Sequence, residues 1–217
     1  MMNLKLKLIS DFNLELLKRN ISAKNKGEFG TIFTYPYGQL YQSIYSVEKD
    51  FDSMIFIWSL PESHIQEFRK SLEGQEINKE KLMEEVDNYS NLIIELSKNC
   101  KFILLPTWQK LPHYRSLGII DLKTDFGIAK LLNEMNIVLS NKFKEYSNIF
   151  LLDSSDWNLN NLESKNAKMW YLTKVPFHNK IFEKISEVLI SSVKVLKGIS
   201  KKVIVVDLDN TLWGGLI

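Results

Sequence analysis

Five short apolar runs recur along the chain, separated by stretches of polar or helix-like pattern. "LKLKLIS" (4–10) alternates apolar and polar residues. "TIFTYPY" (31–37), "SMIFIWS" (53–59), "KFILLP" (101–106) and "NIFLLDS" (148–154) are brief, apolar and rich in β-formers. Between the first runs, Asn13 is placed to cap "LELLKRN", and "GQLYQSIYS" has the length of a short helix. From Asn78 to Lys98, Leu82, Val86, Tyr89, Leu92, Ile93 and Leu96 recur three or four apart, predicting one helix with a single buried stripe and a stop at Asn99. Residues 124–145 repeat the pattern with Ile128, Leu131, Leu132, Met135, Val138, Leu139 and Phe143. Strands alternating with helices require crossover connections. The prediction is therefore an α/β fold, a doubly wound, mostly parallel five-stranded sheet with helices on both faces.

Between Ser154 and Asn179 the texture changes to a long polar stretch, then an aromatic cluster ending near Pro176. A segment of that length without a period is unusual inside a compact domain and is often functional or connecting. "KIFEKISEVLISSVKVLKG" then reads as an amphipathic helix closed by Gly198. One more strand, Lys202–Val206, follows. The predicted organisation is a flavodoxin-like or SGNH-hydrolase-like domain over 1–153, a connecting segment and helix over 154–200, and the start of another domain at 201–217.

Composition narrows this picture. With 217 residues, 45% apolar and 25% charged, the chain has enough to bury one good core and is not a disordered sequence. The net charge of +2, with lysines spread along the chain, gives no support for a nucleic-acid partner. Cys100 is the single cysteine, so no intrachain disulfide forms, which suits a reducing cytoplasm. No apolar run approaches the roughly 20 residues that span a membrane, and "MMNLKLKLISDF" is too short and lysine-interrupted for a signal peptide. A soluble cytoplasmic protein with no membrane contact is expected.

The densest chemistry lies in "VIVVDLDNTLW" (203–213), where four apolar residues lead into Asp207, Asp209 and Thr211 at i, i+2, i+4. A buried parallel strand delivers such residues at its carboxyl end, where open α/β sheets place their sites. There Asp207 is placed to attack phosphorus, and Asp209 to protonate the leaving group and later deprotonate water. Two carboxylates facing a phosphate require a hard cation. Mg²⁺ fits, bound through Asp207, a backbone carbonyl and substrate oxygens. Thr211 would orient the loop. The plain alternative is a solvated acidic turn after an edge strand.

"DLDNTLWGG", including Gly214 and Gly215, resembles the first motif of haloacid-dehalogenase (HAD) superfamily phosphatases, specifically the FkbH-like, subclass IIIC proteins. "MWYLTKVPFH" (169–178), "PYGQLYQSIYS" and "SDFNLELL" also look like landmarks of that family. The resemblance implies an SGNH-like amino-terminal domain coupled to a Mg²⁺-dependent HAD domain, with Asp207 as nucleophile, Asp209 as acid/base and both near the metal. It implies that the intact protein takes a glyceryl group from 1,3-bisphosphoglycerate, a phosphorylated three-carbon substrate, removes phosphate and loads an acyl carrier protein. Such loading serves polyketide or polysaccharide biosynthesis. The family's later elements, a Ser or Thr phosphate ligand, a Lys and a carboxylate pair, would lie beyond Ile217. The expectation is therefore a docking or substrate-presenting module, catalytically incomplete alone or completed by a separate HAD chain.

The leading domain offers a second reading, an SGNH-like esterase. Such enzymes carry G-D-S after the first strand and D-x-x-H near the end. Here the turn reads Ser10-Asp11-Phe12, and Val175 stands three residues before His178. Ser10 is a nucleophile only after a one-residue slide, and a serine without an oriented base is weak. A possible leader-domain pocket gathers Ser10, Asp11, Asn13, His113, Arg115, Lys174 and His178. His64, His113 and His178 have no metal-ligand spacing, and each is read as a surface or loop residue before a ligand. Trp108, Tyr114 and Arg115 join His113 in a loop that either lines a pocket or simply packs. Trp170, Tyr171, Lys174 and Phe177 either plug this domain or pack it against the next.

Overall fold

The computed structural model describes residues 4–111, 113–115, 117–157 and 175–199. The five predicted strands are present as β1 (Leu4–Ser10), β2 (Phe29–Thr34), β3 (Asp50–Trp58), β4 (Cys100–Pro106) and β5 (Ile149–Leu152). All pairings are parallel, in the order β2-β1-β3-β4-β5. The three inner strands are buried almost without interruption, as strands covered on both faces must be, whereas β2 and β5 are edges with half-exposed residues.

The helices are α1 (Glu15–Lys24), α2 (Leu40–Tyr45), α3 (Pro61–His64), α4 (Gln66–Leu72), α5 (Lys79–Ser97), α6 (Ile128–Phe143) and α7 (Asn179–Leu196). From β1 the chain steps outward to β2 through α1, then returns across the sheet to β3, β4 and β5 through α2, α5 and α6. Right-handed crossovers running in opposite directions place α1 on one face and α2, α5 and α6 on the other. The last helix, α7, packs along α1 and completes the first face. Lys24 Nζ to Glu187 Oε1 at 2.8 Å and Lys194 Nζ to Glu28 Oε1 at 3.2 Å tie α7 to α1 and to the start of β2.

Local signals explain most boundaries. Asn78 Oδ1 accepts the Lys81 N–H at 2.9 Å and starts α5. Its stripe of Leu82, Val86, Tyr89, Ile93 and Leu96 is buried, with Leu92 at the margin. The helix expected over 124–145 starts only at Ile128, because residues 121–126 turn and the Lys123 and Thr124 N–H groups both close onto Ile120 O. The pair α3 and α4 went unread: each is under two full turns of apolar period, too short for the pattern to register. Glu67 holds α4 to α5, its buried carboxylate accepting from Lys70 Nζ (2.8 Å) and the Asn78 N–H (2.9 Å).

The face covered by α7 closes around Trp58 at the end of β3. Its indole meets Phe12 after β1 (5.0 Å between centroids), Trp157 after β5 (5.6 Å), Phe177 before α7 (4.4 Å) and Phe182 within it (5.7 Å). Phe177 is thus part of this domain's plug. Trp170, Tyr171 and Lys174 lie outside the described residues, as do the strand expected at Lys202–Val206 and all of 203–217. Truncating a fully packed aromatic removes its transfer energy and leaves a cavity. Trp58→Ala is therefore expected to cost about 3–5 kcal/mol, read as a lowered urea midpoint in equilibrium unfolding.

Candidate functional site

Parallel sheets of this order bind at the carboxyl ends of the strands where the winding reverses, here between β1 and β3. Three segments converge there: Ser10–Phe12 after β1, Ser59–His64 after β3, and Trp108–Tyr114 after β4. Ser10 Oγ donates to Trp58 O at 2.8 Å and accepts the Phe12 N–H at 3.1 Å, and the residue is buried. This hydroxyl therefore stitches the turn between two strands. Among the described residues it meets no histidine, the base that an esterase needs.

Asp11 points the other way. Its Oδ2 accepts the Leu60 N–H at 2.7 Å, fixing the turn into α3. Burial pushes its carboxyl up to about 6, against the pull of the Leu60 N–H and the Ser63 hydroxyl and with help from the nearby Glu62 carboxylate. Glu62 is placed by Pro61 at the first position of α3, and it is gripped from the loop after β4. The Tyr114 hydroxyl donates to Glu62 Oε2, and His113 Nε2 lies 3.4 Å from Oε1. The Tyr114 hydroxyl is held well above its ordinary range, first by burial and then by that carboxylate.

His64 was expected at the surface or in a loop, and the structure corrects this. Its ring lies 4.5 Å from Tyr89 and 5.6 Å from Trp108, with Tyr41 edge-on at 6.3 Å. The residue as a whole is half-buried, yet both ring nitrogens are sealed from solvent without a partner in bonding geometry. Desolvation drives the imidazole down to about 3, partly offset by the Leu60 backbone, so it is neutral at ordinary pH. Behind it, Ser59 Oγ links the Tyr89 hydroxyl (3.1 Å) and Trp108 Nε1 (3.1 Å).

The seven residues grouped from sequence therefore separate. Asp11 and His113 come together through Glu62. Asn13 Oδ1 accepts the Glu15 N–H at 2.8 Å and serves the start of α1. His178 Nδ1 accepts the Lys180 N–H at 3.4 Å and caps α7. Arg115 lines a different cavity, with Leu72 and Phe126. Lys174, Asp207, Asp209, Thr211, Gly214 and Gly215 lie outside the described residues. Sequence reasoning missed Glu62, although a Pro-Glu pair just past a strand is a readable helix start. No group of three or more His, Cys, Asp or Glu among the described residues is arranged to hold a metal. No described helix is long and apolar enough to cross a membrane.

What this edge offers chemically is a carboxyl poised between its charged and neutral forms, beside a carboxylate fixed by a phenol and an imidazole. Two predictions follow from its geometry. Burial raises the folded pKa of Asp11 above its ordinary 3.8, so the folded chain holds this proton more tightly than the unfolded chain. Its contribution is complete below pH 4 and is lost as pH rises through about 6, on the order of 3 kcal/mol in all. Asp11→Asn is expected to remove that fall, checked by urea titrations from pH 4 to 8. Ser10→Ala loses two hydrogen bonds, about 1–2 kcal/mol, and should leave p-nitrophenyl acetate turnover unchanged; a serine-dependent rate would restore the esterase reading.

No family model matches the chain, and no curated protein matches it. Among solved structures, it is similar to the N-terminal part of a Bacteroides fragilis protein containing a phosphatase domain, crystallised with Mg. The likeness has a TM-score of 0.74 at 18% identity and covers 100% of this chain and 58% of that one. At that identity the match establishes a shared fold, and this chain spans little more than half of its neighbour.

Proposed function

We propose that this chain is the amino-terminal module of an FkbH-like, HAD-type protein, in which the α/β domain holds a partner or substrate beside a phosphatase domain opened by residues 203–217. The observation that carries this reading is the fold likeness, which runs the whole length of the chain, to the amino-terminal part of a protein that contains a phosphatase domain. The D-x-D-x-T series at Asp207, Asp209 and Thr211 supports it independently.

On this reading, Asp207 attacks the phosphorus of a phosphorylated three-carbon substrate. An aspartyl–phosphorus bond forms as the bond to the leaving oxygen breaks, and Asp209 supplies the proton that oxygen needs. Asp209 then takes a proton from water, which releases phosphate and restores Asp207. The donors of this motif are hard oxygens, which suit Mg²⁺, and Asp207 and Asp209 are the residues that would lie at it. When bound, the ion neutralises charge on the phosphate and the two carboxylates. The finer proposal is transfer of the glyceryl group of 1,3-bisphosphoglycerate to an acyl carrier protein, with the present domain as the holding element.

The polypeptide expressed with the reading frame that follows residue 217 is expected to hydrolyse p-nitrophenyl phosphate only with Mg²⁺, and Asp207→Asn should lower the rate by about a thousandfold or more. Residues 1–217 alone should show no such rate. A wild-type protein inert with Mg²⁺, or an Asp207→Asn variant that keeps its rate, overturns the reading. Activity that appears only when the adjacent frame is supplied as a second chain assigns the site to two polypeptides.

A further inference from the structure

Between β3 and α4 the chain makes one helical turn that other segments hold in place. This turn, α3, spans only Pro61–His64, and the residues on either side of it are extended, Leu60 at φ −103°, ψ 123° and Ile65 at φ −104°, ψ 98°. A single turn is too short to be stable by itself, and element-terminal residues of this kind are where hinge motions are absorbed.

Three segments fasten it. Asp11, after β1, accepts the Leu60 N–H at 2.7 Å. From the loop after β4, the Tyr114 hydroxyl donates to Glu62 Oε2 and His113 Nε2 lies 3.4 Å from Oε1. From α4, Arg69 donates to Glu62 O at 2.7 Å and to Ser63 O at 3.1 Å.

Closure carries a standing cost. His64 ends the turn, and its ring is inserted beside Tyr89 and Trp108 with both nitrogens sealed and without a partner in bonding geometry. A buried polar atom whose hydrogen bond is unmade loses what water would have given it. Withdrawing the turn returns water to both nitrogens and opens the strand ends between β1 and β3, where parallel sheets of this order bind.

We propose that α3 is a lid on the carboxyl edge of the sheet, pivoting at Leu60 and Ile65, shut by the contacts of Asp11, Glu62 and Arg69 and opened by hydration of the His64 imidazole.

Opening exposes two titratable groups of opposite sign. Asp11 is held up at about 6 when shut and returns toward 3.8 in water, so its share favours opening as pH rises. His64 is held down at about 3 and returns toward 6.5, so its share favours opening as pH falls. Glu62 reinforces the first shift and Arg69 the second. Tyr41 of α2, Tyr89 of α5 and Tyr114 also face Asp11, each raised by burial and therefore a neutral phenol. Glu85 of α5 faces Tyr41 and accepts the Glu67 N–H at 2.9 Å. From pH 5 to 8 the shares are about tenfold for Asp11 and about thirtyfold the other way for His64. The lid is thus nearly indifferent to pH, because each group cancels most of the other.

Hydrogen exchange of the Leu60 amide, corrected for its intrinsic rate at each pH and read against the Phe56 amide of β3, measures the opening. Leu60 is expected to exchange faster than Phe56, with an opening constant that changes only about threefold from pH 5 to 8. Asp11→Asn keeps an acceptor for Leu60 and leaves the His64 share alone, so opening should rise about thirtyfold as pH falls from 8 to 5. His64→Phe keeps a ring beside Tyr89 and Trp108 without its nitrogens. Opening should then fall at every pH and grow about tenfold from pH 5 to 8. A Leu60 amide that exchanges at the Phe56 rate overturns the lid, since only global unfolding then frees it. A profile as flat as that of the wild type in either variant, or a His64→Phe chain that opens as readily as wild type, overturns it as well.

Discussion

The contact on which this domain depends is the cluster of rings around Trp58. Five parallel strands supply a sheet, but a sheet needs both faces covered, and one face is closed only when α7 returns from beyond β5. Trp58 is where that return is secured, since it touches the turn after β1, the turn after β5, the entry to α7 and its first turn. Aromatic pairs in edge and tilted geometry add direction to burial, so the cluster fixes where α7 sits as well as that it sits. The charged links from Lys24 and Lys194 then hold the far part of the helix against α1 and β2.

Immediately above that plug, the same strand ends place the titratable groups. Ser10 and Asp11 are neighbours in sequence, yet β1 turns one inward to bond Trp58 O and the other outward to Leu60 and Glu62. Burial acts on two ionisable groups here with opposite consequences. It raises Asp11, which weakens the fold as pH rises from its ordinary 3.8 through about 6, and lowers His64, which weakens it as pH falls below its ordinary value toward 3. Between these limits, each group opposes the trend of the other. This edge thus sets the Glu62 carboxylate beside an Asp11 that ionises as pH rises through about 6.

The separation of duties along the chain agrees with the proposed role. Residues that resemble a phosphoryl-transfer motif stand after α7, whereas the described residues place the Asp11–Glu62 cluster at the carboxyl edge of the sheet.

Sequence alone determined the alternation of strands and helices, the parallel sheet, the buried stripes of α5, α6 and α7, and the single Asp-rich motif. Each of these is local, because a period of two or 3.6 residues and a cap are written within a few positions. It did not determine which neighbours meet. That Ser10 would be spent on a carbonyl of β3, that His178 would cap a helix, and that His113 would join Asp11 through Glu62 all depend on strand order. Residues some 50 positions apart are brought to one edge only when β1 pairs with β3 and the crossovers take their hand. His64 shows the limit most clearly. It stands between Ser63 and Ile65, and only the packing of Tyr89 and Trp108 from other segments decided that its ring is buried and neutral. Local pattern fixes elements, while protonation and pairing follow from what distant segments remove from water.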